Sequence, residues 1–380
     1  MSVQFAEVPD EAGEIAARWL DTFGAALQAQ DPAAVAATFV PDGHWRDVLA
    51  FTWDVVTHSG RAAIEAALAP VLARTAAKDV EIPGTRTPPR RVTRAGTPCI
   101  ETIFEFETAL GHANAVVRLV DDGGTWRAWS LLTTLEELHG WPDGRPRELS
   151  DAERYSRDFG GANWLDQRLK AQAYEDRDPA VLVVGGGQAG LATAARLRAL
   201  GVDTLIVDRH QRIGDNWRRR YHSLTLHNEV HVNHLPLMPF PSTFPVFIPK
   251  DKLANWFEAY VETLDLNYWS DTQLTSGRYD ETTQRWTVTL KRGDGTERVL
   301  HPRHVVFATG VSAIPIKPSL PGLDSFVGTV MHSGDYTNGA DWKGRKAIVV
   351  GTGNSGHDVA QDLCASGAEV TMVQRSPTYV

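Results

Sequence analysis

The chain has 380 residues, with 38 Lys and Arg against 47 Asp and Glu and a formal net charge of −9. That length exceeds what one hydrophobic core usually holds, so two or three domains are expected. An acidic balance without a long basic run argues against nucleic acid or an anionic membrane as the main partner. No apolar stretch approaches the roughly 18 residues needed to span a bilayer, and the start Met1-Ser-Val-Gln-Phe-Ala-Glu-Val lacks the basic and apolar regions of a signal peptide. A cytoplasmic protein is expected. The two cysteines, Cys99 and Cys364, offer no disulfide framework, no zinc spacing and no CxxC pair. They read as two buried, reduced thiols, and no metal is expected.

The first segment opens with Ile15, Trp19, Leu20, Phe23 and Leu27 at helical spacing, which gives one apolar face to bury. Asp31 as N-cap and Pro32 at the first helical position mark a second helix, because proline lacks an N–H that would go unpaired there. After Gly60 a third helix carries Ile64, Leu68, Val71 and Leu72, followed by strand-like runs Ile100 to Thr108, Ala113 to Val120 and Trp126 to Thr134. Asp121-Asp-Gly-Gly124 joins the last two as a hairpin. Helices first and an antiparallel sheet after suggest an α+β cone. This order, with the phrase His44-Trp-Arg-Asp-Val-Leu49, resembles the NTF2-like (SnoaL-like) family up to about Leu138. Some cones hold acid–base residues in their pocket, and His44, Asp47 and Asp54 are the candidates here. The plainer alternative is that these three cap, pair or face solvent, and fold alone does not decide function.

Trp141-Pro-Asp-Gly-Arg-Pro146 breaks the structure, and Ser150-Asp-Ala-Glu153 is a capping box opening a polar helical linker to about Tyr174. Four segments follow from this reading: an α+β domain over 1–142, a helical linker over 143–178, an α/β unit over 179–342 and a second α/β unit over 343–380.

The apolar run Val181-Leu-Val-Val184 fits a strand buried on both faces. It leads into Gly185-Gly-Gly187-Gln-Ala-Gly190, a helical run from Leu191 to Leu200, and Gly201 as its stop. In this grammar Gly185 permits the tight turn, Gly187 lets backbone approach a pyrophosphate, and Gly190 lets the helix pack on the strand, leaving the diphosphate at the helix N-terminus, with Gln188 and Ala189 of the same loop expected to bind the cofactor. The next strand, Thr204-Leu-Ile-Val207, ends in Asp208, about twenty residues on, where an acid can bind a ribose. GxGxxG alone is a weak signal, but strand, helix and acid together make it strong. A carboxylate there repels a 2′-phosphate, so this site should take FAD or NAD.

The grammar repeats in Ala347-Ile-Val-Val350, Gly351-Thr-Gly353-Asn354-Ser355-Gly356, a helix through Leu363, Gly367 and the strand Glu369 to Val373. This strand runs into Gln374-Arg375-Ser376, and a guanidinium beside a hydroxyl suits a 2′-phosphate. One free and one phosphorylated ribose is the layout of FAD plus NADPH. Arg375 could equally be a surface cation.

Between the two units, Phe326-Val-Gly328-Thr-Val-Met-His332-Ser-Gly-Asp-Tyr336 matches FxGxxxHxxxY, a far more specific pattern than either glycine loop. With Gly214-Asp-Asn-Trp217, Leu235-Pro-Leu-Met-Pro-Phe-Pro241 and Phe307-Ala-Thr-Gly310, it makes the stretch from Val181 onward resemble the flavin-containing monooxygenases, including their YUCCA-like branch. Asp215 where these enzymes often have a second glycine, and Asp208 in place of their more usual Glu, are departures. The resemblance implies a Rossmann-like FAD-binding domain with an inserted β-meander (Gln284 to Leu290 and Glu297 to His301), then an incomplete NADPH-binding Rossmann unit. It implies that NADPH reduces the flavin, that O₂ forms a C4a-(hydro)peroxyflavin, and that a small organic substrate takes one oxygen atom. His332 is then expected to couple the two nucleotide domains. Arg209, Asn216, Thr309 and Gly310 would approach FAD; Trp217 and Asn228 would approach the flavin ring or substrate, or simply pack. Tyr336 rather than Trp makes Baeyer–Villiger enzymes a less close match without excluding them. A non-catalytic nucleotide-binding flavoprotein is the reading from another class, and a homo-oligomer stays open. Because the chain stops after the second strand of the last unit, a fragment of a longer protein is expected, inactive alone.

Overall fold

The computed structural model describes residues 11–141, 159–311 and 314–376. The chain divides into two compact units, Met1–Pro146 and Arg147–Val380. The Ser150–Glu153 capping box and the start of the linker lie outside the described residues.

In the first unit α1 (Glu11–Gln28) buries Ile15, Trp19, Leu20, Phe23 and Leu27, the face expected from their spacing. Asp31 caps α2 (Pro32–Ala37) by accepting from Ala34 N at 3.0 Å, with Pro32 opening the helix. Then come β1 (Phe39–Val48), β2 (Val55–Ser59), α3 (Arg61–Leu68), α4 (Leu72–Thr75), β3 (Lys78–Glu81), β4 (Arg90–Arg94), β5 (Thr97–Glu107), β6 (Gly111–Asp122) and β7 (Thr125–Leu138). Seven strands form one sheet in the order β2-β1-β7-β6-β5-β3, with β4 also paired to β5. The β6–β7 hairpin closes from Asp122 to Thr125. Phe104, Phe106, Ala115, Val117 and Leu119 alternate onto the face that meets α1 in a single core.

The second unit begins, among the described residues, with α5 (Trp164–Ala173), whose start is a capping box between Asn163 and Asp166. Arg168 Nη2 donates to Leu266 O at 2.7 Å and Trp269 Nε1 to Gln172 O at 2.7 Å, which ties this helix to the sheet behind it. This part of the chain runs β8 (Val181–Val184), α6 (Gln188–Ala199), β9 (Thr204–Val207), α7 (Asp215–Arg218), β10 (Thr225–Glu229), β11 (Phe247–Pro249), α8 (Lys250–Thr263), β12 (Asn267–Trp269) and the later β16 (His304–Phe307); β10 and β11 pair only with each other, and the other four strands form the sheet. Its order is β12-β9-β8-β16, with each neighbouring pair parallel. All four residues of β9 are buried, as are Val181, Leu182 and Val183, which is why these strands read as continuous apolar runs. Between β12 and β16 an antiparallel meander of β13 (Thr272–Asp280), β14 (Arg285–Arg292) and β15 (Glu297–Leu300) is inserted. It has the two expected strands and a third. The unit ends with β17 (Lys346–Val350), α9 (Asn354–Ala365) and β18 (Glu369–Val373), a second parallel crossover. Of the two thiols expected to be buried, Cys99 is so and Cys364 is exposed; the latter lies on the outer face of α9, whose buried positions are Val359 and Leu363.

Candidate dinucleotide sites

Both glycine turns stand at the C-terminal ends of parallel strands, where a crossover helix begins. Gly185 adopts φ +110°, and its amide donates to Val207 O at 2.8 Å, so the turn after β8 is stitched to the end of β9. A Cβ on Gly185 would lie 2.3 Å from Ala308 O, and one on Gly190 would lie 1.9 Å from Gly185 O. The first glycine thus admits the end of β16, and the third admits α6 onto the turn. Gly187 differs: it is the N-cap of α6, and a Cβ there meets only Asn216 Nδ2, at 3.2 Å. Gln188 and Ala189, the next two residues, are exposed. Leading amides of a helix have no intrahelical acceptor, so this corner is a cradle for an anion.

The predicted neighbours gather around it. Trp217 Nε1 donates to Gln188 Oε1 at 3.3 Å, and Asn216 stands beside it on α7. Thr309 N lies 3.3 Å from the Cβ position of Gly185, and Gly310 has φ +89° immediately beyond. Asp208, 9% exposed, accepts from Gly186 N at 2.7 Å through Oδ2 and from His210 N and Nδ1 through Oδ1. Arg209 is exposed at the same corner. Asp215 pairs with Arg218 and Arg219; burial opposes its charge, but the Arg218 hydrogen bond and the two guanidinium charges outweigh that and hold its carboxyl below the usual range. Gly214 has φ +86°, with Ala254 O 2.5 Å from where a Cβ would sit. That glycine is needed for α7 to approach α8, whereas Asp215 is free to start the helix.

The second turn repeats the first. Gly351 has φ +107° and donates to Val373 O at 2.9 Å, the counterpart of the Gly185 bond to Val207. A Cβ on Gly356 would meet Gly351 O at 2.5 Å, whereas Gly353, N-cap of α9, has open space around it. Asn354 is exposed and Ser355 half-buried at the start of the helix. The paired hydrogen bonds set Val207 against Val373, so Asp208 corresponds to Gln374 and Arg209 to Arg375. The acid is gone from the second corner, and Arg375 and Ser376 are exposed there.

Two expected residues lie elsewhere. His332 Nδ1 accepts from Gly334 N at 3.0 Å within its own turn. Asn228 is exposed on β10, with its carbonyl taken by Asn233 Nδ2 at 3.0 Å. The contacts made to α9 come from Tyr221 and His227, which sequence reasoning passed over, and from Tyr336, the last residue of the motif. Tyr221 Oη donates to Asp358 Oδ2 at 2.5 Å, His227 Nε2 shares that oxygen at 2.9 Å, and Tyr336 Oη donates to Asp362 Oδ2 at 2.6 Å. Tyr268 was also missed: its hydroxyl lies 1.9 Å from the Cβ position of Gly186, so the middle glycine is required by an aromatic ring, and burial pushes that phenol's pKa up. The one available signal was Asp358 and Asp362, four apart beside the apolar Val359 and Leu363, on a single helix face.

In the first unit His44, Asp47 and Asp54 do not converge. Asp47 is fully buried and accepts from Thr52 N at 2.8 Å, Thr52 Oγ1 at 2.7 Å, Phe51 N at 3.1 Å and Thr133 Oγ1 at 2.7 Å. His44 points to the opposite face of β1, against Ser59 Oγ at 2.9 Å, and Asp54 is exposed, accepting from Val55 N. A cavity of about 10 Å³ in this unit is lined by Phe23, Trp45, Phe51 and other apolar side chains. These residues cap and pair. Among the described residues no group of three or more His, Cys, Asp or Glu side chains could hold a metal ion, and no helix is long and apolar enough to cross a membrane.

Two parallel crossovers with anion cradles at their helix N-termini, set in one unit, define a paired dinucleotide-binding fold of the oxidoreductase kind. The chain belongs to the pyridine nucleotide-disulphide oxidoreductase family, whose profile matches residues 182–379. It is 36% identical over 217 residues to the indole-3-pyruvate monooxygenase YUCCA1 of Oryza sativa subsp. japonica, covering 57% of this chain and 52% of that protein. It is 35% identical over 202 residues to the indole-3-pyruvate monooxygenase YUCCA6 of Arabidopsis thaliana, covering 52% and 48%. The chain therefore spans about half the length of the curated relatives it matches. Among solved structures, a flavin-containing monooxygenase from Stenotrophomonas maltophilia matches with 28% identity and a TM-score of 0.49, over 54% of this chain and 60% of that one.

Proposed function

We propose that this chain is the nucleotide-binding part of a flavin-dependent monooxygenase, with FAD on the β8–α6–β9 crossover and NADPH on β17–α9–β18. The observation that carries the reading is the repeated stitch from glycine amide to strand end, which sets Asp208 in one crossover against Gln374 in the other. A carboxylate at the first corner favours a free ribose; its absence at the second, with Arg375 and Ser376 next in sequence, favours a 2′-phosphate. The names of the relatives supply the reaction class.

The FAD cofactor would supply the redox and oxygen chemistry. The chain's own residues hold it: Gly187, Gln188 and Ala189 present amides to the diphosphate, Asp208 receives ribose hydroxyls, and Thr309 with Gly310 lets backbone come close. Gly353, Asn354 and Ser355 do the same for the reductant's diphosphate. A small organic substrate takes one atom of O₂ while the other leaves as water, with NADPH providing the two electrons. Given the relatives, an aromatic 2-oxo acid is the first substrate class to test. The first unit we read as an NTF2-like α+β domain outside the redox chemistry, in which Asp47 is held by Phe51, Thr52 and Thr133 apart from His44 and Asp54.

The test is purification of the full-length protein. It should be yellow, bleach on anaerobic addition of NADPH much faster than with NADH, and consume NADPH in a substrate-dependent way after correction for peroxide leakage. A protein that stays colourless after incubation with FAD ends the proposal.

A further inference from the structure

The flavin-side loops and the reductant-side helix meet at a single carboxylate oxygen. Tyr221, 3% exposed, follows α7, the short helix whose Asn216 and Trp217 flank the first glycine loop. His227 lies on β10, one residue before Asn228. Both bond Asp358 Oδ2. Ser355 and Asp358 are one turn apart at the start of α9, and Ser355 belongs to the second glycine loop itself. Around this polar centre Tyr221, Leu224, Tyr336, Val359 and Leu363 pack as one cluster, and His222 N donates to Thr337 O at 2.8 Å.

We infer that Tyr221, His227 and Asp358 are positioning residues that lock the second phosphate loop to the loop flanking the first, and so set the approach of nicotinamide to flavin. The inference rests on the FAD and NADPH assignment above. Hydride transfer demands reacting atoms within about 3–3.5 Å, and a displacement near 1 Å can cost about a hundredfold in rate. A diphosphate at the α9 N-terminus places the nicotinamide only as accurately as α9 is itself placed. Burial, then the Asp358 bond, push the Tyr221 phenol above its usual pKa, so it stays a donor. Asp358 stands one turn after Ser355 on the same helix, so its bonds to Tyr221 and His227 fix the end of α9 that carries the second glycine loop.

The experiment uses the flavin-loaded full-length protein and its Tyr221→Phe, His227→Ala and Asp358→Ala variants, mixed anaerobically with NADPH in a stopped-flow instrument. His227 is 44% exposed, so that variant keeps a folded route to the answer if burial makes the others unstable. Expected is a limiting flavin-reduction rate at saturating NADPH lowered about 10-fold or more, with the NADPH dissociation constant changed less than about threefold. Flavin content and reduction by dithionite should match the wild type, readouts that general misfolding would move. Asp358→Ala, which deletes the shared acceptor, should cost at least as much as either donor variant. Limiting rates within twofold of wild type in the variants that retain flavin overturn the lock. So does a loss confined to NADPH affinity, which would make these residues part of the binding site only. Wild-type protein that holds FAD but is not reduced by NADPH brings down the functional reading instead, an outcome seen before any variant is made.

Discussion

The backbone amide of Gly186 donates to Asp208 Oδ2 across 2.7 Å, so the acid that ends β9 reaches back and fastens the glycine turn that follows β8. The same carboxylate holds His210 through its other oxygen. Asp208 therefore shapes the loop in addition to the ribose contact proposed for it. Asp208→Ala should weaken FAD by about 1.5–3 kcal/mol, the range for hydrogen bonds to a charged group, and Asp208→Asn, which can still accept from Gly186, by less. Titration of the apoprotein with FAD, followed by flavin fluorescence, measures both; equal losses would show that acceptance from Gly186 does not contribute.

Glycines three places from each other should fail differently. A side chain at Gly187 meets only the tip of Asn216, a group able to move aside, and projects into the anion cradle. Gly187→Val should thus give a folded, colourless protein whose melting temperature matches that of the wild-type apoprotein. At Gly190 a Cβ would stand 1.9 Å from the Gly185 carbonyl, so Gly190→Val forces helix from strand and should cost about 1–3 kcal/mol or more in the apoprotein itself. Retention of stoichiometric flavin by Gly187→Val would refute the site.

Arginine stands at both corners, as Arg209 and Arg375, and the difference between the corners lies one residue earlier. Arg375→Ala should weaken NADPH by roughly 1–3 kcal/mol while sparing NADH. Gln374→Asp, which recreates the first corner's charge, should lower the preference for NADPH over NADH through like-charge repulsion of the 2′-phosphate. Steady-state kcat/KM for the two nucleotides decides it. Equal losses for both in Arg375→Ala would remove that residue from the phosphate position.

The first crossover was legible because its buried parallel strands are short apolar runs, and β8 and β9 begin and end at the residues expected; β17 and β18 are not buried, and the repeated glycine pattern between them made the second legible. Helix α6 starts at Gln188 instead of Leu191, since the glycine loop feeds straight into its first turn. Strand β1 was missed because Pro41-Asp-Gly43 reads as a turn; the strand in fact carries an irregularity there, between Phe39 and His44 in its pairing with β7. Strands β3 and β4 are short and charged, as edges tend to be, and β13 is largely exposed, so none of the three showed apolar alternation. The Tyr221–Asp358 bond joins residues 137 apart, and no local pattern records such a pairing. His332, singled out by a motif, bonds its own turn, whereas the motif's last residue, Tyr336, makes the contact to α9.

Acid should reveal a second, independent electrostatic element in the first unit. Glu101 on β5 accepts from Arg94 at 2.8 and 3.0 Å, Arg90 at 3.0 Å and Arg118 at 3.0 Å. The Arg94 hydrogen bond is the largest influence, and although burial opposes it, the three guanidinium groups together hold the carboxyl at about 2 against an ordinary 4.5. A carboxyl depressed in the folded state adds stability that is complete above its unfolded pKa and disappears as pH falls through its folded pKa. The contribution is therefore whole at pH 6, declines below about 4.5 and is gone near 2. Glu101→Gln, which resembles the protonated acid, should be less stable than wild type at pH 6, and the gap should narrow as the pH is lowered toward 3. Other carboxylates titrate in both proteins alike, so the difference in denaturation midpoint isolates this one. A gap that stays constant over that interval would mean the three arginines do not depress the Glu101 carboxyl in the folded state.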